Sequence, residues 1–177
     1  MDFFLQSERL GFRRWANEDL SLAQTLWGDP AVSSWLGGPF SPEAVRARLN
    51  HEIHQETEAG VQYWPLFLLE NQEHVGSAGF RPAKLKNEPK YELGFHLRPA
   101  LWGRGLATEA ARAVIEYGFR NLGLVGIFAG HHPSNAASGR VLEKLGFAYA
   151  GEEWYAPSGI FEPTYLLLKT DWESNRI

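Results

Sequence analysis

The chain has 177 residues, a formal net charge of -4 at pH 7 and no cysteine, which suits one domain with a sizeable core. It excludes disulfides, cysteine-ligated zinc and a cysteinyl acyl-enzyme, and the acidic balance argues against a nucleic-acid binder, whose ligand demands a basic footprint. No apolar run approaches the roughly 18 residues of a membrane span, and the start Met1-Asp2-Phe3-Phe4-Leu5-Gln6 is not that of a signal peptide, so a cytoplasmic location, with no membrane partner, is the expectation.

Residues 8–15 interleave apolar and polar side chains and read as a strand. Asn17 suits the cap of a short helix to about Trp27, which Gly28-Asp29-Pro30 ends. Ser41 caps the next helix and Pro42 opens it. Along it Val45, Leu49 and Ile53 recur every four residues, His51, Glu52, Gln55 and Glu56 fall on more polar faces, and Gly60 closes it. Residues 62–70 and 74–81 form an antiparallel hairpin around Asn71-Gln72-Glu73. A polar loop over residues 82–89 leads into a strand at 90–97. There Tyr91, Leu93, Phe95 and Leu97 take one face, and Glu92, Gly94 and His96 the other. A turn at 99–104, a helix at 105–121, a strand at 125–130, a helix at 134–145 and strands at 147–154 and 160–171 complete the chain.

Trp102-Gly103-Arg104-Gly105-Leu106-Ala107-Thr108-Glu109-Ala110 lies between a strand and a helix. Closely spaced glycines let the backbone aim successive amides at one point, and the helix adds its unpaired N-terminal amides and positive dipole end. An anion such as pyrophosphate is the expected guest. A Walker loop needs Gly-Lys followed by Ser or Thr, whereas Leu106 follows Gly105. A dinucleotide fingerprint wants Gly or Ala in place of Thr108 and an acidic residue where the chain has His131 and His132. A purely structural turn is the remaining alternative. Further on, His131-His132-Pro133-Ser134-Asn135-Ala136-Ala137-Ser138 opens the helix that runs to Leu145-Gly146-Phe147. Asn135 and Ser138, three apart, share its N-terminal face; Asn135 or Ser134 also suits a helix cap.

Together these segments closely resemble the GNAT N-acetyltransferase superfamily, its RimJ/RimL-like group in particular. The likeness rests on Tyr91-Glu92-Leu93-Gly94-Phe95, on Trp102 through Ala110, on Asn135 through Ser138 and on Glu143-Lys144-Leu145-Gly146-Phe147. Ser7-Glu8-Arg9-Leu10 and Tyr165-Leu166-Leu167-Leu168 extend it over nearly the whole chain. The resemblance implies an α/β (α+β) fold with a GNAT-like mixed, mostly antiparallel sheet of about seven strands, flanked by helices and splayed between the fourth and fifth strands. It implies acetyl-CoA as co-substrate, with the pantetheine arm in that gap beside the backbone of Phe95, His96 and Leu97. Trp102, Gly103, Arg104, Gly105, Leu106, Ala107 and Thr108 would bind the pyrophosphate, and Asn135 and Ser138 would contact the cofactor. Arg104 and Arg140 would reach its phosphates, or else lie solvated. The family loop usually begins with arginine or glutamine where this chain has Trp102, which the RimJ/RimL-like group often tolerates. Many members carry a tyrosine general acid where Leu142 stands, and leucine cannot donate a proton. Ser138 is then the first candidate acid, with bound water as the alternative.

Direct transfer requires an uncharged amine near the thioester, a donor for the developing oxyanion and a proton for the thiolate. Glu92 is the first candidate base, and His96, with an ordinary pKa of about 6.5, the second; a solvated glutamate and a buried structural histidine are the bland alternatives. His51 and His54, three apart, do not match zinc-protease spacing, and the chemistry requires no metal. The expectation is a single acetyltransferase domain over residues 1–177, monomer or homodimer, acetylating a primary amine: a protein N-terminus or a small molecule. The acceptor pocket would lie between residues 28–58 and 155–161, with Trp35, Trp64, Trp154 and Tyr155 available to line it. A non-catalytic acyl-CoA-binding module is the rival.

Overall fold

The computed structural model describes residues 1–85 and 88–174. In chain order the elements are β1 (Leu5–Gln6), β2 (Leu10–Phe12), α1 (Leu20–Trp27), α2 (Pro30–Ser33), α3 (Pro42–Ala59), β3 (Tyr63–Leu68), β4 (His74–Leu85) and β5 (Glu88–Leu97). They continue with α4 (Leu106–Arg120), β6 (Gly126–Gly130), α5 (Ala136–Lys144), β7 (Ala148–Tyr155), β8 (Ile160–Leu168) and α6 (Lys169–Ser174). Among the described residues one mixed sheet of eight strands runs β1-β2-β3-β4-β5-β6-β8-β7. Every neighbouring pair is antiparallel except β5–β6.

Alternation along the central strands decides which side each residue serves. Trp64 and Leu66 of β3, Ala78 and Phe80 of β4, Leu93 and Leu97 of β5, and Ile127 and Ala129 of β6 join one buried cluster with Ala110, Ala111, Val114 and Ile115 of α4. The intervening residues of β3 to β5 face the early helices. Those helices have their own core of Trp15, Ala23, Leu26, Trp27, Val32, Val45 and Leu49. Each large side chain fully buried there contributes about 1.5–3 kcal/mol relative to exposure. That fixes α1 and α3 as a firm wall over the sheet.

The one parallel contact is short. Tyr91 lies opposite Ile127 and Glu92 opposite Phe128, and no further pair forms as the two strands continue. The sheet therefore opens into a V beyond Glu92, between the strands expected to splay.

The expected helix ends at Ser41 and Gly60 are present: Ser41 accepts from the Ala44 N–H, and Gly60 adopts φ 68°. Four expectations need correction. The strand expected at residues 8–15 is only β2, because residues 7–9 turn around Glu109 of α4 and bring β2 back against β1; the sheet then has eight strands against the about seven expected. Asn17 is not a cap but the first residue of a 3-10 turn, where the Asp19 carboxylate accepts from the Ala16 N–H at 2.8 Å. The loop expected at residues 82–89 is largely strand, since Pro82↔Tyr91 through Leu85↔Glu88 continue the β4–β5 ladder; residues 86 and 87 lie outside the described residues. Strand β8 ends at Leu168, and Lys169 to Asp171 belong to α6.

Candidate active site

The V opens into a cavity of about 630 Å3. Its walls include Leu93, Phe95, His96 and Leu97 of β5, and Trp102, Gly103, Gly105, Leu106, Ala107 and Thr108 at the start of α4. Asn135, Ser138 and Arg140 come from the start of α5, while Arg48, Tyr63, Arg81, Glu92, Tyr155 and Glu162 gather near the vertex of the V and beneath α3. Glu92 stands five residues before Leu97, about 17 Å along an extended strand. The cavity thus spans the distance from the glycine loop to Glu92.

The loop owes its shape to left-handed backbone at Gly103 (φ 74°) and Gly105 (φ 76°). An added Cβ at Gly103 would meet nothing within 4 Å, so conformation rather than crowding calls for glycine there. The loop is also braced from the N-terminal hairpin. The Ser7 hydroxyl, the Arg9 backbone N–H and the Arg9 Nε all donate to Glu109, each at 2.7 Å. Arg9 Nη1 then donates to the Arg104 carbonyl at 3.1 Å. Arg104 itself is not among the cavity-lining residues, whereas Arg140 is. Trp102 is half exposed and its indole N–H donates to the Leu97 carbonyl at 2.7 Å, tying the loop to the end of β5.

On α5, Asn135 is the cap: its Oδ1 accepts from the Ser138 N–H at 3.3 Å. The helix therefore starts at Ala136, two residues later than expected. Both side chains still line the cavity. Leu142 is buried in the main core.

At the vertex, Glu92 faces Arg81 directly across the β4–β5 ladder. Arg81 bonds Glu52 Oε1 at 2.8 Å and lies over the Tyr63 ring, 4.7 Å from its centroid. Glu52 is fully buried and also accepts from the Tyr63 N–H at 2.8 Å. Its expected polar face is thus an internal one. The Tyr63 ring crosses β5 at Gly94, where an added Cβ would sit 2.4 Å from the ring. Burial pushes the Glu92 carboxyl above its usual range, and Arg81, Arg48 and the Tyr63 hydroxyl only partly restore it. Burial holds His96 well below its usual pKa, and Arg48 and Arg81 add to the effect. Its Nδ1 accepts from the Trp27 indole N–H at 3.4 Å, so the neutral ring carries its proton on Nε2. Glu162, 8% exposed, is pushed up to about 7 by burial despite its bond from the Ser158 hydroxyl.

Of the aromatic residues expected around an acceptor, Trp35 and Tyr155 line the cavity. Trp64 does not: it is a core residue packed edge-on to Phe4, Phe80 and Tyr117. Trp154 is exposed on β7 beside Phe161. Residues the sequence did not single out are Arg48, Glu52, Tyr63, Arg81 and Glu162. A faint signal for two existed, because Arg48 and Glu52 fall three and seven residues after Val45, on the buried stripe of α3.

This architecture has known counterparts. The sequence profile described as the Acetyltransferase (GNAT) domain matches residues 9–148. A [Ribosomal protein uS5]-alanine N-acetyltransferase of Escherichia coli (strain K12) is 31% identical over 136 residues, covering 76% of this chain and 64% of that protein. The crystal structure of a GNAT-family acetyltransferase from Bacillus anthracis superposes with a TM-score of 0.79 at 26% identity, over 95% of this chain and 99% of that one. RimL, a ribosomal-protein alpha-N-acetyltransferase solved in complex with coenzyme A, shares the fold with a TM-score of 0.74 at 18% identity, over 92% and 95% of the two chains. With the profile spanning most of its length, the chain belongs to the GNAT family of N-acetyltransferases, among relatives that include the RimJ/RimL type.

Proposed function

We propose that this enzyme moves the acetyl group of acetyl-CoA to a primary amine by direct transfer in a ternary complex. The observation that carries this reading is one cavity reaching from a left-handed glycine loop at a helix N-terminus to a buried carboxylate at the vertex of the V. The residues fit the co-substrate. Backbone amides of Gly103 to Thr108 would hold the pyrophosphate. The edge of β5 beyond Glu92, at Phe95, His96 and Leu97, would pair with the pantetheine arm, although the Leu97 carbonyl already accepts from Trp102. Asn135 and Ser138 would border the thioester end. When bound, acetyl-CoA supplies an activated acetyl group.

The chain's own residues perform the remaining work. Glu92 takes a proton from the incoming ammonium, directly or through water, and its raised pKa makes it a stronger base than an exposed carboxylate. A backbone N–H at Phe95, His96 or Leu97 meets the negative charge that develops on the acyl oxygen. The Ser138 hydroxyl, or a water, returns a proton to the departing sulfur. His96 is held neutral with Nδ1 occupied, so it acts as an N–H donor and orients the site rather than serving as the base. The acceptor is a protein N-terminus or a small amine; the Escherichia coli relative is named for acetylating an alanine of ribosomal protein uS5. The test is a panel of amines and N-terminal peptides incubated with acetyl-CoA, read by release of free thiol. Amine-dependent thiol release supports the reading, and its absence across the panel refutes it.

A further inference from the structure

Arg48 extends from α3 into the cavity, with its guanidinium carbon 4.8 Å from the centroid of the Trp27 ring and 5.9 Å from that of Phe40. Its Nε is buried without a hydrogen-bond partner, and among the described residues no ion pair or hydrogen bond engages its guanidinium. Nearby carboxylates are committed elsewhere. Glu52 is bonded to Arg81 and to the Tyr63 N–H, and Glu92 faces Arg81 across the β4–β5 ladder. Aromatic faces stabilise a guanidinium by about 0.5–2 kcal/mol, less than the several kcal/mol that burying an ion costs. A planar, five-donor cation held rigidly at the wall of a reaction cavity is pre-organised for an oxyanion.

We propose that Arg48 receives an oxyanion on the acceptor, so that the substrate is a small zwitterionic amine, its ammonium directed to Glu92 and its carboxylate or phosphate to Arg48. This rests on the acetyl-transfer reading and narrows it. The charge at Arg48 favours such a molecule over a diamine. Its guanidinium has no ion-pair partner among the described residues, so it would repel a second ammonium and attract an oxyanion; Glu162, at about 7, is the acid on the cavity wall that a second ammonium could meet instead. The fork geometry favours a group with two coplanar or tetrahedral oxygens over a hydroxyl or amide, which would leave the cation unneutralised. Arg48 is accordingly a specificity residue; it touches the far end of the acceptor, not the reacting atoms.

The experiment compares kcat/KM over ω-amino acids of increasing spacer length with their carboxamides, with the matching amino alcohols and diamines, and with phosphoethanolamine. The expected result is a preference of about tenfold or more for the oxyanion-bearing amine at one spacer length. Phosphoethanolamine against the acid of equal length decides between phosphate and carboxylate. In Arg48→Gln, compared with the native enzyme at a pH above the Glu92 limb, the preference should shrink to within about threefold, because KM rises more for the anionic amine than for the neutral ones. Arg48→Lys should retain part of it, since charge survives while the fork is lost. Amides or alcohols used as well as acids at every spacer length would overturn this proposal while leaving acetyl transfer intact. So would an unchanged preference in a folded Arg48→Gln. If none of these amines is acetylated while N-terminal peptides are, this proposal falls and acetyl transfer stands; acetylation of neither overturns both readings.

Discussion

Glu92 lies opposite Phe128, and this is the last pair before β5 and β6 part. A carboxylate at that vertex is flanked by Arg81 across the other ladder. The sheet's own splitting thus puts a buried acid at the closed end of the gap.

The first prediction concerns that acid. A base works only when deprotonated, and burial has moved Glu92 upward, so kcat/KM should fall as pH drops through a limb above the usual carboxylate range. Glu92→Gln should lower kcat by about 10²-fold or more and remove this limb. Affinity for acetyl-CoA, measured by calorimetry, should stay within about threefold, because Glu92 is remote from the loop. Full activity of Glu92→Gln at every pH would contradict the assignment.

Gly105 carries φ 76° at the entry to α4. A β-branched residue tolerates that conformation poorly, at a cost of about 1–3 kcal/mol. Gly105→Val should therefore refold the loop and abolish measurable acetyl-CoA binding. Circular dichroism that shows an otherwise intact fold separates this from general unfolding.

Glu109 collects three donors from Ser7 and Arg9 in the first turn of α4. Burial alone would raise its pKa, but the bonds from Ser7 and Arg9 outweigh it and hold the carboxyl below its ordinary 4.5. That stability is present above 4.5 and is lost as pH falls through the depressed folded value. Arg9 is 45% exposed, so solvent discounts its part. Glu109→Gln should cost about 1–2 kcal/mol in urea unfolding at pH 7. It should also weaken acetyl-CoA binding severalfold, because Arg9 no longer steadies the Arg104 carbonyl.

His74, 5% exposed, is lowered to about 4 by burial, with Arg98 and Arg13 adding to it despite its bond to the Gly76 carbonyl. The unfolded chain binds a proton near 6.5 and the folded one does not, so stability falls as pH drops from 6.5 to 4. The loss is on the order of 3 kcal/mol. His74→Gln keeps a donor for the Gly76 carbonyl and cannot titrate. Its melting temperature should change less over that window than the native protein's; parallel curves would contradict this.

Local signals were legible wherever the sequence itself supplies the cause. Ser41 and Gly60 mark helix ends by their own chemistry, the faces of β5 follow its alternation, and the two glycines announce a left-handed turn. The N-terminal hairpin was not legible, because residues 7–9 turn around a carboxylate a hundred positions away. Glu52 looked like the polar side of a helix for the same reason. Its burial depends on Arg81 and Tyr63, which come from other elements. Extension of β4 and β5 past Pro82 likewise reflects pairing between the two strands rather than any property of one.

The proposed acetyl transfer depends above all on a co-substrate site built from the glycine loop and the V. Calorimetric titration of the native enzyme with acetyl-CoA tests it directly. One molecule should bind per chain, with binding lost in Gly105→Val and kept in Glu92→Gln. No heat and no saturation with the native enzyme would contradict it.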